Sequence, residues 1–393
     1  MLAMVAACAP KAAMLTPAPA TPIALMPSPP SPTQVPAPTI MTTTTAVSRS
    51  DELDAKIGQM IMLGFRGLEI QEGDPIAADV RERKIGSVVL FNYDTILKSY
   101  TRNIESPAQL HALDASLQAM AETPLLISTD QEGGMVARLT ERNGFPATQS
   151  QQFYGTKNDL NLTRAAAEAQ GKVLKDAGIN LVLAPVVDLN VNPNNPIIGK
   201  YERSFSADPQ VVTDNARAEI EGYHAQGILT TLKHFPGHGS STADSHLGFV
   251  DVTTTWQPIE LDPYRNLIKD GVVDAIMTAH IFDANLDPNY PATLSKNVIT
   301  GILREQLGYD GVVISDDMQM GAIRQYYGLS EAIELAINAG VDILAIANNT
   351  IYDPNAGAEA VNIIKQLVQD GKVSPERIEQ SYQRIMRLKA RLG

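Results

Sequence analysis

Between Thr231 and Gly248 the chain reads Thr-Leu-Lys-His-Phe-Pro-Gly-His-Gly-Ser-Ser-Thr-Ala-Asp-Ser-His-Leu-Gly, and this stretch holds three of the six His in the sequence. An imidazole with an ordinary pKa of about 6.5 donates or accepts a proton near neutrality. Asp244, two residues before His246, is spaced to orient that ring and to favour its charged form. A second feature is Val312-Val313-Ile314-Ser315-Asp316-Asp317-Met318, an apolar run that ends in a carboxylate. An ionised carboxylate at the end of a buried strand is a candidate nucleophile for carbon, which singles out Asp316. Side chains alternate along a strand, so Asp317 is expected to point the other way and to support the loop or cap the next helix.

These groups need a scaffold that brings distant segments to one place. From Ser48 onward, strand-like runs at 60–65, 87–91, 125–129, 181–189, 230–234, 275–280, 312–316 and 342–347 alternate with helical patterns at 77–84, 108–121, 162–176, 209–226, 263–270, 297–306, 330–338 and 358–369. Several of the helical stretches stop at a glycine, as at Gly178, Gly227, Gly271, Gly308, Gly340 and Gly371, the residue that best tolerates a left-handed C-cap. Eight β-then-α units predict an α/β fold of the (β/α)8 TIM-barrel type, a single catalytic domain over 48–393. A doubly wound sheet is the alternative, but near-continuous apolar strands in series favour closure. Barrel active sites are built at the C-terminal ends of the strands. Here those ends carry Asp130, Asp188, Lys233 with His234, His280, Asp316 with Asp317, and Asn348. Helix capping is the competing role for Asp188, Asp317 and Asn348. His111 and His224 read as surface helix residues, and Asp283 and Glu202 receive no role.

Bulk properties narrow the partners. With 393 residues and 44% hydrophobic content the chain can bury a large core. A net charge of -13 argues against a nucleic-acid partner, which would need clustered Lys and Arg. Residues 1–47 contain ten of the 25 prolines and read as an extended, disordered leader and linker. The single Cys lies in Val5-Ala6-Ala7-Cys8, which resembles a bacterial lipobox and predicts a lipid anchor at Cys8 and a cell-envelope location. A cytoplasmic location is the alternative if the leader is not a signal. The chain is expected to act as a monomer.

Lys233-His234-Phe235-Pro236-Gly237-His238-Gly239, followed by Asp244-Ser245-His246, together with Ser315-Asp316-Asp317-Met318 and Asp130-Gln131-Glu132-Gly133-Gly134, resembles glycoside hydrolase family 3. The likeness runs in consistent order over about residues 50 to 393 and is closest to the family's single-barrel β-N-acetylglucosaminidase (β-hexosaminidase) branch. The resemblance implies that Asp316 forms a glycosyl ester and that His246, paired with Asp244, serves as general acid and then general base. It further implies that Asp130, Arg138, Arg203, Lys233 and His234 hold the sugar hydroxyls. The implied reaction is retaining hydrolysis of terminal β-linked N-acetylglucosamine from peptidoglycan fragments or amino-sugar oligosaccharides, with no cofactor. The chain departs from the pattern at Lys200-Tyr201-Glu202, which lengthens the link from Gly199 to Arg203, and at Gln319, where a small residue is commoner.

Other readings compete. A phosphorylase fits an imidazole acid/base, which adds no fixed negative charge to repel phosphate, and a glycosidase for unsubstituted sugars fits the same groups. A metal site on His234, His238 and Asp244 or His246 would need a helix that Pro236-Gly237 breaks. His238 otherwise reads as structural, as Lys233 and His234 could also be. The non-enzymatic alternative is a lipid-anchored glycan-binding protein.

Overall fold

Branched apolar residues favour strands and amphipathic stretches favour helices, and from residue 49 the alternation of the two produces a ring. The structure, a computed structural model, describes residues 49–392. The Pro-rich leader and Cys8 lie outside the described residues. Eight parallel strands form one sheet: β1 (Ile61–Gly64), β2 (Ser87–Leu90), β3 (Leu126–Thr129), β4 (Leu181–Val182), β5 (Leu229–Phe235), β6 (Ala275–Thr278), β7 (Val312–Ile314) and β8 (Leu344–Ile346). They pair in chain order, and β8 returns to β1 with Ile61 opposite Leu344. The seam between β7 and β8 is joined by the Ile314–Ile343 bridge and by Asp342 N–H donating to Val313 O at 2.8 Å. This is a (β/α)8 barrel, and every residue of its eight strands is buried.

The eight expected helical stretches all form, with ends shifted by one or two residues in most cases: Pro75–Arg81, Pro107–Met120, Leu160–Ala177, Pro209–Ala225, Asp262–Lys269, Asn297–Gln306, Leu329–Ala339 and Ala356–Gln369. Asn297–Gln306 is wound as a π-helix, for which the sequence carries no marker. All six glycines expected at helix ends have positive φ, between 71° and 122°. Ser106, Asp159, Asp208 and Ser374 cap helix N-termini by accepting backbone N–H bonds. Helices Arg49–Gln59, Gln151–Lys157, Gly321–Arg324 and Pro375–Lys389 were not anticipated.

Most strands fall one to three residues short of the expected runs, and one is far shorter. In the run 181–189 the continuous strand ends at Leu181–Val182, because Pro185 has no N–H to donate, and pairing resumes at the parallel bridge between Val186 and Lys233. The segment still follows β5, with Thr231 N–H donating to Ala184 O at 2.8 Å and Val187 N–H to Lys233 O at 2.8 Å. The seam beneath Asp316 is fastened by Asp342. This buried carboxylate accepts from Arg304 Nη2 at 2.6 Å, Arg377 Nη2 at 3.2 Å, Ser381 Oγ at 2.8 Å and Val313 N–H at 3.0 Å. It thereby ties the last helix to β7 and β8.

Candidate active site

Two strand ends build a charged floor. Asp130 follows β3, and Gln131–Gly133 turns back on Val136–Ala137, so that Glu132 stands beside Asp130. Lys233, near the end of β5, donates to Asp130 Oδ1 at 2.8 Å and lies 2.6 Å from Glu132 Oε1. Arg203 grips Glu132 through both carboxylate oxygens, at 2.7 and 2.8 Å, and Arg138 reaches Asp130 Oδ2 at 3.1 Å. Burial works against the charge on Asp130 and Glu132, but the cations outweigh it. Lys233 and Arg138 hold Asp130 well below the usual carboxylate range, and Arg203 and Lys233 lower Glu132. Burial likewise opposes the charge on Lys233, and Asp130 and Glu132 overcome it and raise its pKa. The network is thus fully ionised, with charge-assisted donors and acceptors ready to orient hydroxyl groups.

Behind this floor sits Asp188, fully buried. It accepts from His234 Nδ1 at 2.7 Å, from His234 N–H at 3.2 Å and from His238 N–H at 2.7 Å. His234 Nε2 faces Arg203 Nη2 at 3.2 Å. A guanidinium only donates, so Nε2 must accept and the ring proton resides on Nδ1, facing Asp188. One carboxylate therefore sets the tautomer and the orientation of His234.

Asp316 and Asp317 leave β7 in opposite electrostatic states. Burial penalises the Asp316 charge, but the imidazoles of His280 and His246 and a 2.8 Å bond from Asp317 N–H outweigh it and lower its pKa. Asp317 is pushed up to about 6 by burial, with the neighbouring Asp316 charge adding to the effect. Its Oδ1 accepts from Ala347 N–H at 3.0 Å and Gln319 N–H at 3.1 Å, which fixes the loop after the strand. Two adjacent carboxylates whose environments separate their pKa values are suited to different tasks.

The loop after β5 carries the third group. Gly239 passes so close to the β4 extension that a Cβ there would lie 1.7 Å from Leu189 O, which only glycine permits. His238 is buried, its Nδ1 2.6 Å from Ser241 Oγ and its Nε2 3.2 Å from Ser245 Oγ. Burial lowers its pKa to about 4, so it stitches the loop as a neutral ring. His246 is 53% exposed, and Asp244 Oδ1 accepts both its N–H at 2.9 Å and its Nδ1 at 2.7 Å. Nε2 is thereby left to exchange a proton. Burial opposes the imidazolium, but the hydrogen bond it donates to Asp244 and the charges of Asp316 and Asp244 prevail and raise its pKa. The loop rests on the segment after Asp316, where Gly321 N–H donates to His246 O at 3.2 Å and Ala322 N–H to Ser245 O at 3.1 Å. A Cβ at Gly321 would approach His246 O to 2.8 Å.

Asp316, His246 and Asp244 line the same cavity, of about 470 Å3. So do Asp130, Arg138, Arg203, Lys233 and His234. The structure brings all eight of the singled-out residues together at the strand C-termini. The rim expectation is corrected for three others. Asp188, His280 and Asn348 do not reach the cavity, and Asp188 and Asn348 cap no helix. Asp188 anchors His234 as described. His280 is buried, with Nδ1 2.8 Å from Thr293 Oγ1 and Nε2 donating to Asp317 O at 3.0 Å. Asn348 closes its own loop by exchanging two hydrogen bonds with Asp353. His224 is also corrected: it is half-buried and lies 2.7 Å from Asp274 Oδ2. Gln319 accepts from Asn348 N–H at 2.8 Å. Glu202 accepts from Ser150 Oγ at 2.8 Å.

Sequence reasoning missed Glu132 and the anchoring role of Asp188. Glu132 sits inside the quoted Asp130–Gly134 motif, so the signal was present. Asp188 follows an apolar run like Asp130, and no spacing distinguishes a carboxylate that faces the cavity from one that turns behind it. Among the described residues no group of three or more His, Cys, Asp or Glu is arranged to hold a metal ion.

A (β/α)8 barrel with a carboxylate after β7 and an imidazole in the loop after β5, above a charged floor, defines a class of sugar-processing enzymes. Residues 52–388 match the model described as the glycosyl hydrolase family 3 N terminal domain, and the chain belongs to that family. It is 35% identical to Beta-hexosaminidase A of Pseudoalteromonas piscicida over 86% of this chain and 60% of that protein. It is 34% identical to a Beta-hexosaminidase of Nitrosomonas eutropha over 78% of this chain and 84% of that protein. A solved glycoside hydrolase family 3 beta-N-acetylglucosaminidase from Paenibacillus sp. str. FPU-7 superposes with a TM-score of 0.79 at 38% identity, over 86% of this chain and 62% of that one. The chain thus spans less than two thirds of the first and third of these relatives.

Proposed function

We propose that the protein is a retaining exo-β-N-acetylhexosaminidase that releases terminal non-reducing β-linked N-acetylglucosamine. The observation that carries this reading is the mutual electrostatic support of Asp316 and His246 across one cavity, where each favours the charged form of the other. In the first step the Asp316 carboxylate attacks the anomeric carbon, and His246 as imidazolium gives its proton to the departing glycosidic oxygen. The aglycone leaves as an alcohol and a glycosyl ester remains on Asp316. In the second step the neutral His246 takes a proton from water, whose oxygen attacks the same carbon and releases the carboxylate and the sugar. Asp244 orients the imidazole and stabilises its charge. Lys233, Arg203, Arg138, Asp130 and His234 fix the hydroxyls, and bound geometry of this kind converts binding energy into orientation.

The family relatives named beta-hexosaminidase support the 2-acetamido preference. Peptidoglycan fragments or amino-sugar oligosaccharides at the cell envelope are the proposed substrates, with Cys8 as the anchor point. The test is release of the leaving group from an aryl β-N-acetylglucosaminide and from the matching β-glucoside, each with and without inorganic phosphate. Faster cleavage of the 2-acetamido substrate to the free sugar is expected. Equal cleavage of the glucoside, or sugar 1-phosphate as the product, would refute the assignment.

A further inference from the structure

In the proposed reaction the charged floor takes one sugar ring, and the cavity is walled on the barrel side by the buried Met62 and Met277, which lie on barrel strands, and by the buried Leu183. Anything attached to that first ring must therefore leave through the mouth. Two large apolar side chains line the cavity yet stay open to water there, Tyr201 at 38% and Met135 at 58% exposure. Each stands on a fixed turn rather than a loose one. Tyr201 is held from both sides: Lys200 N–H donates to Asn195 O at 3.0 Å, Glu202 N–H to Gly199 O at 3.1 Å, and Gln152 N–H to Glu202 O at 3.1 Å. Glu202 adopts φ 55°, and its carboxylate accepts the Ser150 hydroxyl. Lys200 Nζ sits 5.5 Å from the centre of the Tyr201 ring. Met135 follows Gly134, at φ 57°, in the turn between Gln131–Gly133 and Val136–Ala137.

We propose that Tyr201, with Met135, forms the platform on which the first aglycone sugar of the proposed substrates sits. This rests on the glycosidase reading above and deepens it. A pyranose presents C–H groups on its faces and hydroxyls at its edge. An exposed aromatic ring with a polar tip, beside a cation, complements both. A rigid platform also loses little freedom on binding, so its contribution appears as affinity or rate. Tyr201 lies two residues before Arg203, whose guanidinium is fixed on Glu132. Seating an aglycone on Tyr201 therefore aligns the scissile bond with the ring that Arg203 orients.

The test compares two substrates of the same glycone, a β-linked N-acetylglucosamine disaccharide and β-N-acetylglucosaminyl fluoride, which has no aglycone ring. The readout is the ratio of kcat/KM for the disaccharide to that for the fluoride. In Tyr201→Ala this ratio is expected to fall about tenfold, since binding energy from a remote ring is used at the reacting centre. Tyr201→Phe is expected to keep it within about twofold. An unchanged ratio in Tyr201→Ala overturns the subsite while leaving the glycosidase reading intact. A wild type that cleaves neither substrate overturns both.

Discussion

Replacing Asp188 by Asn leaves the cavity lining untouched and changes one buried oxygen into a donor. In the wild type Asp188 accepts three N–H groups, two of them at 2.7 Å, and the bond to His234 Nδ1 obliges Nε2 to accept from Arg203. If the Asn amide group faces Nδ1–H, two donors meet at hydrogen-bond distance. The ring then either moves its proton to Nε2, where it confronts Arg203, or turns away. Either response forfeits at least one hydrogen bond to a charged group, about 1.5–3 kcal/mol. At 1.4 kcal/mol per decade this predicts a drop in kcat/KM of roughly 10- to 100-fold. In the proposed reaction His234 acts on the bound sugar rather than on the leaving group, so the loss should fall mainly on KM. The alkaline limb of the pH profile, set by His246, should stay in place. The assay is steady-state kinetics on an aryl β-N-acetylglucosaminide from acid to alkaline pH, with circular dichroism to verify folding. A folded Asp188→Asn variant with wild-type kcat/KM would refute the tautomer argument.

Other outcomes follow from the same geometry. His246→Ala should lower kcat by about 10²- to 10⁴-fold, the usual contribution of a positioned acid/base, measured on a substrate with a poor leaving group. Asp244→Asn removes the partner that raises the His246 pKa, so the alkaline limb of kcat/KM should move to lower pH; an unmoved limb would count against the dyad. Glu132→Gln strips Arg203 and Lys233 of a shared buried carboxylate, and urea titration should show a loss of about 3–5 kcal/mol in unfolding free energy. Glu219, buried beside Gln151, is pushed up to about 8 by burial. A folded-state pKa above the unfolded value of 4.5 gives stability that is complete below pH 4.5 and lost as pH rises towards 8. The stability of the wild type relative to Glu219→Gln should therefore fall between pH 4.5 and 8, by up to about 1.4 kcal/mol per unit, and level off above. A flat difference across that window would show that Glu219 is ionised throughout.

The barrel was legible because each strand is a short branched apolar run and six of its helices stop at a glycine that must adopt positive φ. Patterns of that kind are local, and the chain states them directly. The eight singled-out residues converge because seven of them lie on or just after strands that the barrel fold brings to one end, or in the turn that follows. Arg203 is the exception, since it arrives from a long link; it and Arg138 were found only through the likeness to the family. What stayed hidden depends on direction rather than position. Asp130 and Asp188 both follow buried runs, yet one faces the cavity and the other turns behind Lys233 and His234. The break at Pro185 could be foreseen in kind, since proline cannot donate to a ladder, but not the way the chain continues past it. His224 looked like a surface residue because its partner, Asp274, is fifty residues away in sequence.

The central claim is that Asp316 becomes bonded to the sugar. The direct measurement is mass spectrometry of the protein after brief reaction with a fluorinated β-N-acetylglucosaminyl substrate that forms the ester quickly and hydrolyses it slowly. The account predicts one added glycosyl unit, carried by the peptide that contains Asp316 and absent from Asp316→Asn. Turnover of that substrate with the label on a different residue would contradict it.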